Sequence, residues 1–204
     1  MLMAALATAW AQDFQDFIHV VLADGESKAR EICKAANDIG MNVHFIPFAN
    51  VQTNDWGTQA RNMGLQMVDA EYYVFLDDDN LYYRNYLSTF EECAKRNGNP
   101  PMMAQKCHFI KRWEVEQGQN PNAHAWMVLP WHDNYETPED RFKDHSISPV
   151  KGGWDTLNIC VRHDIGKKAQ FIYKYEHDFY FIEECIKISG SKPIVAESIG
   201  GVHL

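Results

Sequence analysis

A chain of 204 residues with 46% apolar and 23% charged side chains has the size and balance of one soluble globular domain with a sizeable core. A net charge of −9 leaves no basic stripe to displace counterions from phosphates, which excludes nucleic acid as a bulk partner, and no stretch of about 20 apolar residues exists to span a bilayer. The five cysteines, at 33, 93, 107, 160 and 185, are odd in number and lack a CxxC spacing, so free thiols in a cytoplasmic setting are expected rather than a disulfide framework or a zinc knuckle.

Residues 2–14 read as a helix. No Lys or Arg precedes Lys28, so the positive region of a secretory signal is missing there. Residues 17–23 form a buried strand ending at Asp24-Gly25. The next helix is capped by Ser27, carries Ile32, Ala35, Ala36 and Ile39 on one face and stops at Gly40. A strand over 42–48 and a polar turn over 53–57 lead to a helix over 58–68. Residues 72–76 are short, aromatic and β-branched, the pattern of a strand covered on both faces, and a helix is expected over 82–97. Beyond Pro100 come strands over 102–113 and 123–129, joined by a Gly/Pro/Asn turn, and a polar stretch over 132–148 that suits a lid or acceptor-binding loop. A strand over 155–162, a helix over 176–188 and a short strand over 193–196 precede the terminal Gly200-Gly-Val-His-Leu204. This alternation predicts a single α/β domain in three α/β/α layers, with a mixed, mostly parallel central sheet between helices.

Asp77, Asp78 and Asp79 follow the central strand directly, at the carboxyl end where open α/β sheets bind ligands. Three adjacent carboxylates repel one another, and a hard divalent cation with oxygen ligands relieves that repulsion. The plain alternatives are a solvated acidic turn or a cap from Asp79 or Asn80 on the following helix. An EF-hand loop is excluded: Tyr82 stands where its sharp turn needs glycine, and no Glu stands at its twelfth position.

Four segments together resemble the GT-A glycosyltransferases of the family 2 type. Val20-Val-Leu-Ala-Asp-Gly-Glu-Ser27 is similar to the strand-end element that meets the nucleotide base. Gln59-Ala-Arg-Asn-Met-Gly64 with Glu71-Tyr-Tyr-Val-Phe-Leu-Asp-Asp-Asp-Asn80 resembles the helix and strand leading into the DXD motif. Gly152-Gly-Trp-Asp-Thr156 resembles the acceptor-side glycine loop, and Tyr175-Glu-His-Asp178 stands where the family's Glu-Asp pair opens a helix. Members of the family begin with a strand ending in a Pro-Thr-Tyr-Asn-like turn, whereas this chain starts in the helix that follows it.

The resemblance implies a metal-dependent inverting transferase that moves a sugar from a nucleotide-diphospho-sugar, UDP-linked in preference to GDP-linked, to a hydroxyl on a glycan, lipid or protein. Its nucleotide-binding half covers about residues 1–99 and its acceptor half about 100–204. Mn²⁺ or Mg²⁺ would be held by Asp79, with Asp77 reaching the metal's water or the donor's ribose and His203 closing the shell as Gly200-Gly201 folds over the phosphates. Asp24 would read the base, Arg61 would meet base or phosphate, and Asp78 would support the loop or the sugar. Asp178 would be the base that takes the acceptor's proton. Gly153, Trp154, Asp155 and His177 would bind the acceptor, and Trp126, Trp131 and Tyr175 offer further flat faces for sugar rings. Each role has a plainer reading: a turn Asp before Gly for Asp24, a surface charge for Arg61, favourable helix-end electrostatics for Glu176 and Asp178, and a loose terminus for His203. A catalytically inactive relative serving as a sugar-nucleotide or glycan binding module is the rival function. A sugar nucleotidyltransferase needs a Gly-rich signature absent here, and an aspartyl-phosphate phosphatase needs Thr where Asn80 follows Asp79.

Overall fold

The computed structural model describes residues 1–25, 28–49, 53–110, 124–127 and 156–203, with side chains undescribed at 49, 106–110, 124–127, 197–199, 202 and 203. The order is α1 (Leu2–Trp10), β1 (His19–Asp24), α2 (Ala29–Asp38), β2 (Val43–Ala49), α3 (Thr58–Met67), β3 (Tyr72–Val74), β4 (Asn80–Tyr82), α4 (Tyr86–Arg96), β5 (Met102–Ile110) and β6 (His124–Met127). A 3-10 turn (Thr156–Asn158) then leads through β7 (Ile159–Arg162), α5 (His163–Gly166) and α6 (His177–Ser189) to β8 (Ile194–His203).

Strands β1 and β2 pair in parallel, and the larger sheet runs β3-β7-β5-β8-β4 with β6 on β5. The layered α/β arrangement stands, but the proportion of parallel pairing differs from expectation. Within the larger sheet, among the described residues, only β5 and β8 run parallel; the other pairings are antiparallel. The reason is β7, which enters between β3 and β5 from the distal half of the chain and runs against both.

Period-two alternation buries both faces of this sheet. Met102, Ala104, Ile159 and Val161 face one way, against Phe181, Ile182 and Cys185 of α6 and Leu65 of α3. Met103 and Cys160 face the other way, against Tyr86, Phe90, Cys93 and Ala94 of α4. A third cluster seats Leu6 of α1 on Cys33 and Ala36 of α2 and on Val43 of β2. The α1 end is tied to the sheet by buried Gln12, whose amide donates to the Thr8 and Tyr83 carbonyls and accepts the first-turn Leu87 N–H of α4.

Two segments depart from the sequence pattern. Residues 80–82 form a strand, and the helix expected from 82 begins at Tyr86. Tyr82 stacks on Tyr86 with ring centroids 3.8 Å apart, and its hydroxyl donates to the Phe75 carbonyl, so the chain stays extended before it coils. The strand expected over 193–196 continues to His203, because β8 is interior and pairs with β5 on one side and β4 on the other. Gly200 and Gly201 are therefore buried sheet residues and not a flap over a ligand. A Cβ on Gly200 would strike the Gln105 amide and approach Tyr86 Cδ2 to 2.6 Å; one on Gly201 would lie 2.5 Å from the Leu81 carbonyl oxygen. Overpacking of this kind costs roughly 1–3 kcal/mol. Gly200→Ala is thus expected to lower the unfolding midpoint measurably in a urea titration, and an unchanged midpoint would show that the sheet can open there.

Candidate active site

Residues 77–80 form a tight turn between β3 and β4, closed by the Asn80 N–H donating to the Asp77 carbonyl at 3.1 Å. Asp77 and Asp79 are half-buried, whereas Asp78 is exposed. Asp77 Oδ1 meets Arg61 Nη2 at 2.5 Å; Asp78 and Asp79 have no hydrogen bond or ion pair among the described residues. Asn80 is 0% exposed, yet among the described residues neither atom of its side-chain amide has a hydrogen-bond partner. A buried amide left unsatisfied is costly, and native folds keep one mainly where a bound group or water completes it. The turn's carboxylate and amide oxygens suit a hard divalent ion that takes few protein ligands and fills its shell with phosphate oxygens and water. Among the described residues no group of three His, Cys, Asp or Glu stands ready for a metal, so a cation here would rely on a bound diphosphate for much of its coordination. Strand pairing sets the His203 backbone opposite Asn80, beside this turn; its side chain lies outside the described set.

Arg61, on α3, joins this turn to the start of α6. While Nη2 holds Asp77, Nη1 donates to the Trp56 carbonyl at 2.5 Å and lies 3.3 Å from His177 Nε2. The guanidinium also sits 5.6 Å over the Phe171 ring, which stacks on Phe181 at 3.9 Å and meets Phe75 edge-on. An aromatic floor from three elements thus holds the cation on the strand-end side of the sheet. His177 Nε2 is 2.9 Å from Asp178 Oδ1, with the two side chains 15% and 17% exposed. That oxygen is nevertheless buried without a properly directed hydrogen bond among the described residues, so proximity and not a formed bond describes the pair.

The turn before α3 supplies the other wall. Asp24, at the end of β1, accepts the Thr53 N–H at 3.0 Å and the Thr53 hydroxyl at 2.7 Å. Each carboxylate oxygen has two acceptor sites, so capacity remains for an incoming N–H. The Thr53 hydroxyl also lies 2.9 Å from Asp55, whose other oxygen accepts the first-turn Gln59 N–H at 3.0 Å. Asn54, Trp56 and Gly57 all take positive φ, and the Trp56 indole is left 52% exposed, stacked on Tyr173 at 5.3 Å. A cavity of about 360 Å³ lies between Asp24, Asn54, Trp56 and Gly57. It offers a flat aromatic face beside a hydrogen-bond acceptor.

Burial pushes the Asp55 carboxyl up, but hydrogen bonds, led by the Gln59 N–H, outweigh it and hold the group below the usual carboxylate range. A depressed folded value adds stability that is complete above the unfolded value of about 4 and is lost as pH falls through the folded one. Asp55→Asn is expected to cost about 1 kcal/mol at pH 7, the size of a lost helix-start hydrogen bond. It should cost progressively less as pH falls below about 4, and urea unfolding across that range checks both.

Arg61 and the Thr53–Trp56 turn thus connect Asp24, at the end of β1 in the smaller sheet, with the turn of Asp77, Asp78 and Asp79 and with His177 and Asp178, the His203 backbone alongside. Gly153, Trp154 and Asp155 lie outside the described residues, as do Ser27 and Trp131; Trp126 is described in backbone only. Tyr175 is 80% exposed. Thr53, Asp55, Trp56 and Phe171 were not singled out by sequence. The one available signal was a tryptophan inside the polar Asn54-Asp-Trp-Gly57 turn, which composition reads only as a loop.

Comparison with solved structures finds S. aureus TarS 1-349, with a TM-score of 0.69 at 12% identity over 98% of this chain and 56% of that one. The same TarS fragment in complex with UDP aligns with a TM-score of 0.67 at 13% identity, over 98% and 55% of the two chains. Its complex with UDP-GlcNAc gives a TM-score of 0.67 at 13% identity, over 98% and 54%. The present chain therefore spans little more than half of that fragment, and at such identity the likeness shows the fold. No curated protein matches by sequence. The family model described as "Glycosyl transferase family 2" matches residues 1–155, well over half of the chain. With the GT-A arrangement of strands and helices in place, the chain belongs to glycosyl transferase family 2.

Proposed function

We propose that this protein transfers a sugar from a nucleotide-diphospho-sugar to an acceptor hydroxyl, with UDP-sugars the preferred donors. One observation carries the reading: Arg61 bridges the Asp77 turn to the His177-Asp178 start of α6, so the groups proposed for the donor side and for the base lie within one network of contacts. The UDP and UDP-GlcNAc complexes of TarS support the donor class. The base would lie against Trp56 with its N–H toward Asp24, an arrangement supported by the cavity between them. Asp77 and Asp79 would hold Mg²⁺ or Mn²⁺, which when bound neutralises charge developing on the departing diphosphate. Arg61 adds a fixed positive charge to that end of the cleft. Asp178 takes the proton of the acceptor hydroxyl as its oxygen forms a bond to the anomeric carbon; the carbon–oxygen bond to the diphosphate breaks with its electron pair, and one displacement inverts configuration. The acceptor is a glycan, lipid or protein hydroxyl, with Gly153, Trp154 and Asp155 assigned to that side.

Four described cysteines, 33, 93, 160 and 185, are unpaired and buried, which supports a cytoplasmic setting. No helix among the described residues is long and apolar enough to cross a membrane. A panel of sugar nucleotides with Mn²⁺ tests the function. UDP-sugars are expected to raise the melting temperature, since a ligand that prefers the native state stabilises it, and to release UDP when an acceptor is present. Stabilisation without release under any condition would favour the binding-module reading; neither effect would defeat both.

A further inference from the structure

His177 Nε2 faces two groups with opposite demands. Arg61 Nη1, 3.3 Å away, is only a donor and requires a lone pair on that nitrogen. The Asp178 carboxylate, 2.9 Å away, is only an acceptor and requires an N–H there. One ring nitrogen cannot meet both demands at once. Among the described residues Asp178 Oδ1 is buried without a hydrogen-bond partner, because at 2.9 Å it lies out of line with the ring nitrogen.

The ring is also held in place. It lies parallel to the Trp56 indole, 6° from coplanar with centroids 6.3 Å apart, and it packs at 6.2 Å from Phe171. Among the described non-glycine residues with positive φ, three are asparagines, which tolerate that backbone; the other two are Trp56 at 55° and Glu176 at 64°. Trp56 stacks on His177, and Glu176 immediately precedes it. Strained backbone kept at both of these positions marks an arrangement that the surrounding fold enforces.

We infer that His177 is a positioning residue that exchanges Arg61 for Asp178 as its partner when the donor diphosphate binds. The inference rests on the transferase reading above. A diphosphate with its cation takes up Asp77 and offers Arg61 phosphate oxygens that form stronger charge-assisted bonds. As Arg61 turns toward them, His177 Nε2 loses its donor. The ring then exchanges its proton through water from Nδ1 to Nε2, without change of net charge, and the Asp178 carboxylate turns so that Oδ1 accepts from it. The other carboxylate oxygen is thereby oriented for the acceptor hydroxyl. The base is in place only when the donor is, which limits idle reaction on an empty site. His177 therefore serves the base rather than the acceptor sugar.

The test combines kinetics with imidazole nitrogen NMR on the full chain. His177→Phe keeps the stacking and removes the nitrogen; kcat is expected to fall about tenfold or more, as when an orienting partner is removed, with donor KM changed far less. His177→Gln, whose amide can both accept and donate, is expected to recover much of that loss. In the unsubstituted protein, adding UDP with Mg²⁺ is expected to move the His177 signals from the Nδ1–H to the Nε2–H pattern. Turnover that survives in His177→Phe, or a tautomer pattern indifferent to UDP, overturns the switch and leaves the transferase reading standing. Absence of both turnover and UDP binding in the unsubstituted protein overturns both. If His177→Phe does not fold, the glutamine variant and the NMR titration decide.

Discussion

Asp79→Ala is expected to reduce Mn²⁺-dependent turnover about a thousandfold or more, because several kcal/mol of Lewis-acid stabilisation are lost and each 1.4 kcal/mol is worth roughly tenfold. The fold should not suffer. Asp79 is half-buried, makes no hydrogen bond or ion pair among the described residues and sits beside two like charges, so its removal should shift stability by no more than about 0.5 kcal/mol. Asp78→Ala serves as the control: an exposed carboxylate in the same turn, it should cost far less activity. Metal-titrated release of nucleoside diphosphate, paired with a melting curve, separates the two effects. Turnover preserved in Asp79→Ala would mean that no essential cation is held at this turn.

Asp178→Asn is expected to lower kcat by about a hundredfold to ten-thousandfold while leaving donor KM nearly unchanged, the pattern of a group acting in the transition state. The competing account is structural, since Asp178 lies in the first turn of α6, where a negative charge interacts favourably with the helix dipole. That interaction is worth about 0.3–1 kcal/mol and bears on stability alone. The two accounts diverge cleanly: a helix-end role predicts a slightly lower melting temperature with intact kcat, and a base predicts the reverse. A matching loss in donor affinity would instead assign Asp178 to substrate holding.

The arginine is the link between these two positions: it bonds Asp77, two residues before Asp79, and lies against His177, the neighbour of Asp178. With Asp77 about a third exposed, solvent screening keeps the contribution of the Arg61–Asp77 pair to stability modest. Its greater consequence is geometric, because the same guanidinium reaches the Trp56 carbonyl and the His177 ring. A lysine in its place would offer one point charge and lose that fork.

Residue pattern alone was enough for the alternation of helices and strands and for three acids just beyond a short strand, though that strand, β3, covers only Tyr72–Val74 and stands at the end of the described strand order, not at its centre. Each of those rests on local periodicity and on side-chain types that repel when crowded. The family followed from Asp24, the Arg61-Asn62 segment and the DXD-like turn read together. Tertiary structure decided the rest. Residues 80–82 and 197–203 became strands because partners distant in sequence supplied their hydrogen bonds, and Gly200-Gly201 carries no apolar pattern to announce an interior strand. The Thr53–Trp56 wall and the Arg61–His177–Asp178 contact arise where a turn, a helix face and a helix start from separate parts of the chain meet. No periodicity within any one segment encodes such a meeting; packing of the layers against the two faces of the sheet brings it about.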